Sequence, residues 1–446
     1  MKTYKESKYN FVISSDNDYV LLYNTVSGSV CNFKKEIYMT FHGQNNILRE
    51  CILEDIIRLG FVVLSEFDET RALEECKERY IHNPEPCELS YVIAPTLACN
   101  YNCDYCFEKN VRSSNVMNEH TINKTVEFII NQSKQYKNIQ KIFVVWFGGE
   151  PCLCIDIIMQ ISMQLIKFAN ENNIRYNSFM VTNGSLLSRE IVIKLKQSCK
   201  INGIQISLDG LKERYAKYRN CSEKYYDIVL NNIIMLSELI NIHLRINIDK
   251  YNFQEIKILI EDLLQKNINI DNLHIYFAPV KDYSGGNTYA LNSYEYEKKR
   301  LELINFIILH THESGKILNF SLPNKVACGC GSMRHQTCVI GPDGSLYRCE
   351  HCLGNEKYVI GSVEHGFYHN EFDNMFLNMA TPSKCLECNV LPICAQGCRA
   401  DILIHKLSFD CEAFKLRIIN DVARSVMYSQ NTTLSSSVKN LIQELC

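Results

Sequence analysis

The chain divides according to how its apolar positions repeat. Between about residues 88 and 312, short apolar runs alternate with longer stretches in which apolar residues recur every third or fourth place. The runs at 89–94, 141–146, 176–181, 203–208, 243–248 and 273–277 are rich in Val, Ile, Leu and aromatic residues, as strands covered on both faces are. The stretches 119–135, 155–171, 189–198, 225–240, 253–266 and 294–312 carry helical spacing. Six strand–helix units in series predict a parallel sheet with right-handed crossovers, hence an α/β fold. In such folds the functional residues gather beyond the C-terminal ends of the strands. Cys99, Gly148, Asn183 and Asp209 all fall there. Periodicity alone leaves a six-unit barrel, an eight-stranded barrel and an open sheet as alternatives.

The first 86 residues read differently. Short strands are predicted around Phe11-Val12-Ile13, Tyr19 to Tyr23 and Val30 to Phe33, separated by the polar turns 14–18 and 25–29. A helix follows over 47–59 and stops at Gly60; a strand at 61–64 and a charged helix over 66–80 complete the unit. His82-Asn83-Pro84-Glu85-Pro86 closes it, since two prolines discourage continued helix. Strands, a helix and a closing strand predict a reduced winged-helix-like module, with either a strand edge that accepts an extended peptide or a cap over the barrel as its role.

At 446 residues the chain is long enough for two or three domains, and 46 % apolar with 22 % charged residues is ordinary globular composition. A net charge of −3 speaks against nucleic acid as a partner. The N-terminus lacks the apolar core of a signal peptide, and no apolar run is expected to span a membrane, so a reducing cytoplasm is the expected compartment. The 22 cysteines change the picture. Ten of them fall between Cys328 and Cys411, and in a reducing compartment clustered cysteines read as metal ligands before disulfides.

Cys99, Cys103 and Cys106 stand at x3 and x2 spacing directly after the first barrel strand, with the aromatic Tyr105 before the last of them. Thiolates hold four-iron clusters, usually one per iron, so three in one loop leave an iron open for substrate. A zinc loop is the competing reading; the preceding strand and the lack of a fourth nearby ligand stand against it. This loop resembles the signature of the radical S-adenosylmethionine (SAM) enzymes. The resemblance continues in Phe147-Gly148-Gly149-Glu150-Pro151, similar to the family's loop that receives the SAM amino group, and in Asn183 after the next strand. Ser207, with Arg219 twelve residues on, is similar to the serine and arginine that contact SAM in the sulfatase-maturating branch. An arginine suits a carboxylate because its fork makes two charge-assisted bonds. Ala278-Pro279-Val280 falls where the family packs the adenine.

Cys330, thirteen residues, Gly344, four residues and Cys349 precede Cys385-x2-Cys388-x5-Cys394-x3-Cys398 and then Cys411. This resembles the SPASM extension, which binds auxiliary 4Fe–4S clusters. Gly341-Pro342-Asp343-Gly344 between apolar pairs predicts a hairpin presenting Cys349. The resemblance implies that Cys385, Cys388, Cys394 and Cys411 hold the distal cluster, and Cys349 and Cys398 the nearer one. Cys328, Cys330 and Cys338 compete for its remaining places; Cys338 also reads as a core thiol. An incomplete ligand set would leave an iron that a substrate thiolate can occupy. A zinc ribbon is the alternative for this region. The cysteines at 31, 51, 76, 87, 152, 154, 199, 221, 352 and 446 have no metal spacing of note.

The expected architecture is therefore an open (βα)6 partial TIM barrel at 87–312. A winged-helix-like module at 1–86 precedes it, a SPASM domain at 313–426 follows, and a polar tail at 427–446 ends the chain. The resemblance implies a peptide maturase with SAM and three 4Fe–4S clusters as cofactors. Such an enzyme reductively cleaves SAM to a 5′-deoxyadenosyl radical and abstracts hydrogen from a ribosomally made precursor with a leader. The outcome expected here is a crosslink, a thioether. An electron donor such as flavodoxin or ferredoxin is implied. Glu350 stands where sulfatase-maturating relatives have an aspartate acting as base, and is the candidate base here. The alternatives are a formylglycine-forming sulfatase maturase, a carbon–carbon crosslinker, an epimerase and a non-catalytic iron–sulfur peptide-binding protein.

Overall fold

The computed structural model describes residues 3–42, 50–283, 287–311, 317–318, 322–323 and 330–428. Its frame is a ten-stranded sheet built mostly from the predicted runs. Five N-terminal strands come first: β1 (Tyr4–Glu6), β2 (Asn10–Ser15), β3 (Tyr19–Asn24), β4 (Val30–Lys34) and β5 (Val62–Leu64). The six parallel strands are β6 (Glu88–Ile93), β7 (Lys141–Trp146), β8 (Arg175–Thr182), β9 (Ile201–Ser207), β10 (Asn241–Ile248) and β11 (Leu273–Pro279). They lie side by side in chain order and pair in parallel. In β6, β7 and β8 one side is buried against helices while the other is half-buried, as in β7 (Ile142, Val144 and Trp146 buried). The covering helices follow the predicted units: Glu119–Lys134, Ile155–Glu171, Arg189–Cys199, Lys224–Ser237, Phe253–Gln265 and Ser293–His310.

Two features lay outside the sequence reading. A short helix, Lys212–Arg219, ends at Asn220 in the left-handed region and buries Tyr215, Tyr218 and Arg219. The hairpin β12 (Cys338–Ile340) and β13 (Ser345–Tyr347) forms as expected, pairing Val339 with Tyr347. It then joins the barrel sheet: β12 runs parallel to β6, Cys338 opposite Tyr91 and Ile340 opposite Ile93. β14 (Gly361–Ser362) and β15 (Gly366–Phe367) extend the same sheet. The first barrel strand is thus covered by a strand from the cysteine-rich region rather than by β11.

The helix expected at 47–59 is observed from Glu50 to Arg58, residues 43–49 lying outside the described set, and a further helix occupies Lys35–His42. The strands β2, β3 and β4 form an antiparallel sheet, and β1 pairs with β5. β3 is buried on both sides. Val20 and Leu22 face Phe33, Phe41, Ile56 and Phe61 within the module. Leu21 and Tyr23, one residue out of phase, face Val390, Ile393, Ile418 and Val422 of the cysteine-rich region. Thr25 Oγ1 donates to Asn389 O at 2.5 Å, and Asn389 Nδ2 donates to Asn10 O at 3.0 Å. The module therefore packs on the C-terminal region, through the period-two alternation of a single strand.

One helical stretch, Pro151–Glu171, is long and apolar enough to cross a membrane by length and composition, a test that the core helix of a soluble protein also passes. Its polar residues Asp156, Gln160, Gln164 and Lys167 interrupt the apolar pattern, so no unbroken run shows in the sequence, and Ile158, Ile161, Leu165 and Ala169 are buried on the sheet.

Candidate active site

The loop after β6 carries Cys99, Cys103 and Cys106, and the loop after β7 is packed on it. Glu150 N–H donates to Ala98 O at 2.8 Å and Gly149 N–H to Thr96 O at 3.2 Å. The approach is too close for any side chain: a Cβ on Gly149 would stand 2.2 Å from Ala98 O, and one on Gly148 2.4 Å from Thr96 O. Gly148 also has φ of +106°, which favours glycine.

Glu150 is buried and turned into the protein. It accepts from Cys152 N–H (2.9 Å), Thr182 Oγ1 (2.6 Å) and Asn183 N–H (2.8 Å). Burial raises its pKa, and these donors oppose the shift. Its carboxylate ties the β7 loop to the β8 loop, while the Gly148–Gly149 backbone faces the site.

The loop after β9 supplies the second anchor. Asp209, 1 % exposed, is a hub. Its Oδ1 accepts from Asn247 N–H (3.0 Å) and Nδ2 (2.8 Å). Its Oδ2 accepts from Arg219 Nη2 at 2.7 Å and from the Tyr105 hydroxyl. The cysteine loop also docks on the end of Lys212–Arg219, where Asn102 N–H donates to Arg219 O and Asp104 N–H to Tyr218 O, both at 3.1 Å.

These loops enclose a cavity of about 220 Å³. Cys99, Cys103, Cys106, Tyr105, Gly148, Gly149, Asn183, Ser207 and Arg219, expected from five separate stretches of sequence, all line it; Glu150 does not. Pro279 and Val280 line it as well, Ala278 does not. Burial pushes Cys99 up to about 11 and raises Cys106. Arg219 Nε is buried without a partner. Glu108 and Arg112 also line the cavity, and nothing in the sequence had marked them. Burial pushes Glu108 up to about 7, Arg112 opposing and Glu350 adding to the shift.

A second chamber of about 580 Å³ adjoins the first and shares Tyr105, Cys106, Phe107, Lys281, Tyr283 and His351 with it. Phe107 stacks on His351 at 4.1 Å between centroids, Tyr283 meets both rings, and His351 Nδ1 lies 2.9 Å from His405 Nε2.

The cysteine-rich region gathers its thiols in two places. Cys385, Cys388, Cys394 and Cys411 lie within electrostatic reach of one another, and Cys394 is pushed up to about 12, first by burial and then by the other three. Cys349 is close to Cys352 and Cys330, and Cys349 and Cys398 both act on the Tyr283 hydroxyl. Glu350 Oε2 is 3.4 Å from Cys349 Sγ and does not line the inner cavity. Cys338 stands apart, buried in the barrel core beside Tyr91 and Ile340 and pushed up to about 12 by burial. Cys328 lies outside the described residues. Cys352, dismissed on spacing, is fully buried against Cys349 in a Cys-x2-Cys turn.

Among the described residues no three His, Cys, Asp or Glu side chains converge tightly enough for a single metal ion. A four-iron cluster makes a different demand: each thiolate takes its own iron, so the ligands surround a volume. Three thiols around a cavity with an unpartnered guanidinium nitrogen fit a cluster with an anionic ligand beside it.

An α/β sheet with three thiols at its C-terminal edge is the arrangement of a radical SAM domain, and the chain carries one: the family described as the Radical SAM superfamily matches residues 93–263. The chain is 25 % identical over 339 residues to the cysteine-type anaerobic sulfatase-maturating enzyme of Clostridium novyi, covering 70 % of this chain and 88 % of that one. It is 22 % identical over 477 aligned positions to the radical SAM cyclopropyl synthase TigE of Paramaledivibacter caminithermalis, covering 92 % and 94 %. Among solved structures, anSMEcpe with bound AdoMet and Kp18Cys peptide superposes with a TM-score of 0.62 at 19 % identity, covering 77 % of this chain and all of that one. Streptococcus suis SuiB bound to S-adenosylmethionine gives 0.53 at 16 %, covering 91 % and 99 %. These likenesses show a shared fold.

Proposed function

We propose that this chain is a radical SAM maturase that acts on a ribosomally made precursor peptide and installs a crosslink, a thioether. The observation that carries the reading is the single cavity lined by Cys99, Cys103, Cys106, Gly148, Gly149, Asn183, Ser207 and Arg219. A cluster and SAM held there would supply radical chemistry able to remove hydrogen from the substrate.

The chain's own residues hold and enclose. Cys99, Cys103 and Cys106 are the cluster ligands. The Gly148–Gly149 backbone and Asn183 receive the amino-acid end of SAM, Ser207 stands beside it, and Arg219 offers the donor its carboxylate needs. Cys385, Cys388, Cys394 and Cys411 form one auxiliary ligand set; Cys349, Cys398 and Cys330 form the other. The outer chamber is wide enough for a peptide segment, and the rings of Phe107, Tyr283 and His351 separate it from the inner one. Glu350, beside Cys349, is the candidate base for a substrate side chain. Residues 1–86 bind the leader, and an electron donor such as flavodoxin or ferredoxin supplies the reducing electron. The SuiB fold covers 91 % of this chain and that of anSMEcpe 77 %. A SuiB structure is described as bound to precursor peptide SuiA.

The test is anaerobic reconstitution, reduction, and incubation with SAM and a precursor encoded beside this gene. The expected result is 5′-deoxyadenosine together with a peptide lighter by two hydrogen atoms. A protein that binds the peptide but never cleaves SAM would make it a binding protein instead.

A further inference from the structure

Arg219 does more in this structure than wait for a ligand. Its guanidinium sits between a carboxylate and a sulfur: Nη2 is held by Asp209 Oδ2 at 2.7 Å, and Nη1 points to Cys103 Sγ at 3.9 Å. Asp209 and Arg219 are 1 % and 8 % exposed in their side chains, so water screens the pair little. Asp209 cannot swing away, because Asn247 fixes its other oxygen twice and Asn252 Nδ2 holds its carbonyl at 2.9 Å. Tyr105, one residue before a proposed ligand, donates its hydroxyl to the same Oδ2. The guanidinium also lies over the rings of Tyr105 and Tyr215 at 5.7 and 5.4 Å. The result is an oriented charge pair, carboxylate behind and cation in front, with its positive end toward Cys103. Arg112 also stands near the thiols: its Nη1 donates to Tyr101 O and to Asn102 Oδ1, and its guanidinium interacts with Cys106. Among the described residues no carboxylate is fixed behind it as Asp209 is behind Arg219.

A cluster gains one negative charge on reduction, and hydrogen bonds and charges near its sulfurs set its potential. In a water-poor pocket a fixed cation at the sulfur favours the reduced form. We propose that Arg219 raises the reduction potential of the cluster held by Cys99, Cys103 and Cys106, and that Asp209 is the positioning residue that aims it, with Tyr105 bracing the carboxylate from the cysteine loop. The inference rests on reading those three thiols as cluster ligands. It gives Arg219 a role toward the cluster in addition to SAM.

The test is an EPR-monitored redox titration of reconstituted full-length protein, following the reduced-cluster signal that changes when SAM is added. Arg219→Gln should move the midpoint to more negative potential at unchanged iron content, and Arg219→Lys should recover part of the shift. Tyr105→Phe removes one hydroxyl and no charge; it should lower the midpoint in the parent protein and leave it unmoved in the Arg219→Gln background. Asp209→Asn removes a negative charge as well as the hold on Arg219. Its shift should therefore be more positive in the Arg219→Gln background, where only the charge effect remains. Equal shifts in both backgrounds, or an unmoved midpoint in Arg219→Gln, overturn the proposal. Should Asp209→Asn fail to fold, the Tyr105→Phe cycle decides alone. If the parent protein shows no SAM-responsive signal, the ligand reading itself fails and this inference falls with it.

Discussion

Gly149→Ala is the smallest change that should disable the site without touching any side chain in it. A Cβ there would stand 2.2 Å from Ala98 O and 2.6 Å from both Ala98 C and Leu97 O. All three are backbone atoms, so no rotamer can relieve the contact. Ordinary contact begins near 3.4 Å, so the two loops must part by about 1 Å. Parting them breaks the bonds from Glu150 N–H to Ala98 O and from Gly149 N–H to Thr96 O, each worth about 0.5–1.5 kcal/mol. Overpacking adds about 1–3 kcal/mol. The sum is roughly 2–6 kcal/mol, large against the ~5–15 kcal/mol that holds a domain folded. The displaced loop is the one carrying Cys99, and a misplacement of ~1 Å can cost about 10²-fold in rate. The assay is 5′-deoxyadenosine formation per cluster by reconstituted protein, beside thermal unfolding. Gly331→Ala, where an added Cβ meets nothing within 4 Å, is the control and should stay within about 0.5 kcal/mol of the parent. A Gly149→Ala protein with parental melting and parental cleavage rate would refute the argument, because the two loops would then have to be separable at no cost.

Two further outcomes follow from the thiols. Replacing Cys385, Cys388, Cys394 and Cys411 together by alanine should remove about four of about twelve irons and leave SAM cleavage largely intact; loss of the SAM-responsive signal instead would tie the distal set to the active cavity. Cys338, pushed up to about 12, is roughly one part in 10⁴ ionised at pH 8, against about a quarter for an ordinary thiol. It should therefore resist alkylation in folded protein while reacting on unfolding, and Cys338→Ala should keep all its iron; iron lost in that variant would restore Cys338 as a ligand.

The barrel was legible because its signals are local. β7 was read with both ends correct, and the helix Ile155–Glu171 likewise, since a continuous apolar run and a 3.6-residue period need no partner to be seen. The spacing of Cys99, Cys103 and Cys106 is equally local, as is the turn between β12 and β13. What escaped was set by distance in the chain. Nothing in Cys338–Ile340 tells that it pairs with β6. Glu150 carries the right motif, yet the donors that draw its carboxylate inward, Thr182 and Asn183, come from another loop. Asp209 was noted for its place after a strand, but its role depends on Tyr105, Arg219 and Asn247 meeting there. Leu21 and Tyr23 alternate as any half-buried strand does; that their second face meets Ile418 and Val422 is a tertiary fact.

The pairing of β12 with β6 has a consequence for how this chain is made. Tyr91 leaves the ribosome about 250 residues before Cys338, its partner across the sheet. At roughly 5–20 residues per second that is an interval of about 10–50 s. Throughout it β6 presents an open row of amide and carbonyl groups, with the apolar side chains of Leu89, Tyr91 and Ile93 beside them, and such an edge recruits other strands. The nascent barrel is thus sticky until the cysteine-rich region arrives to close it. Slow translation between residues 93 and 338 would lengthen the exposure. A gene cut after residue 312 would make it permanent, so the two parts of this protein are joined by synthesis as well as by sequence.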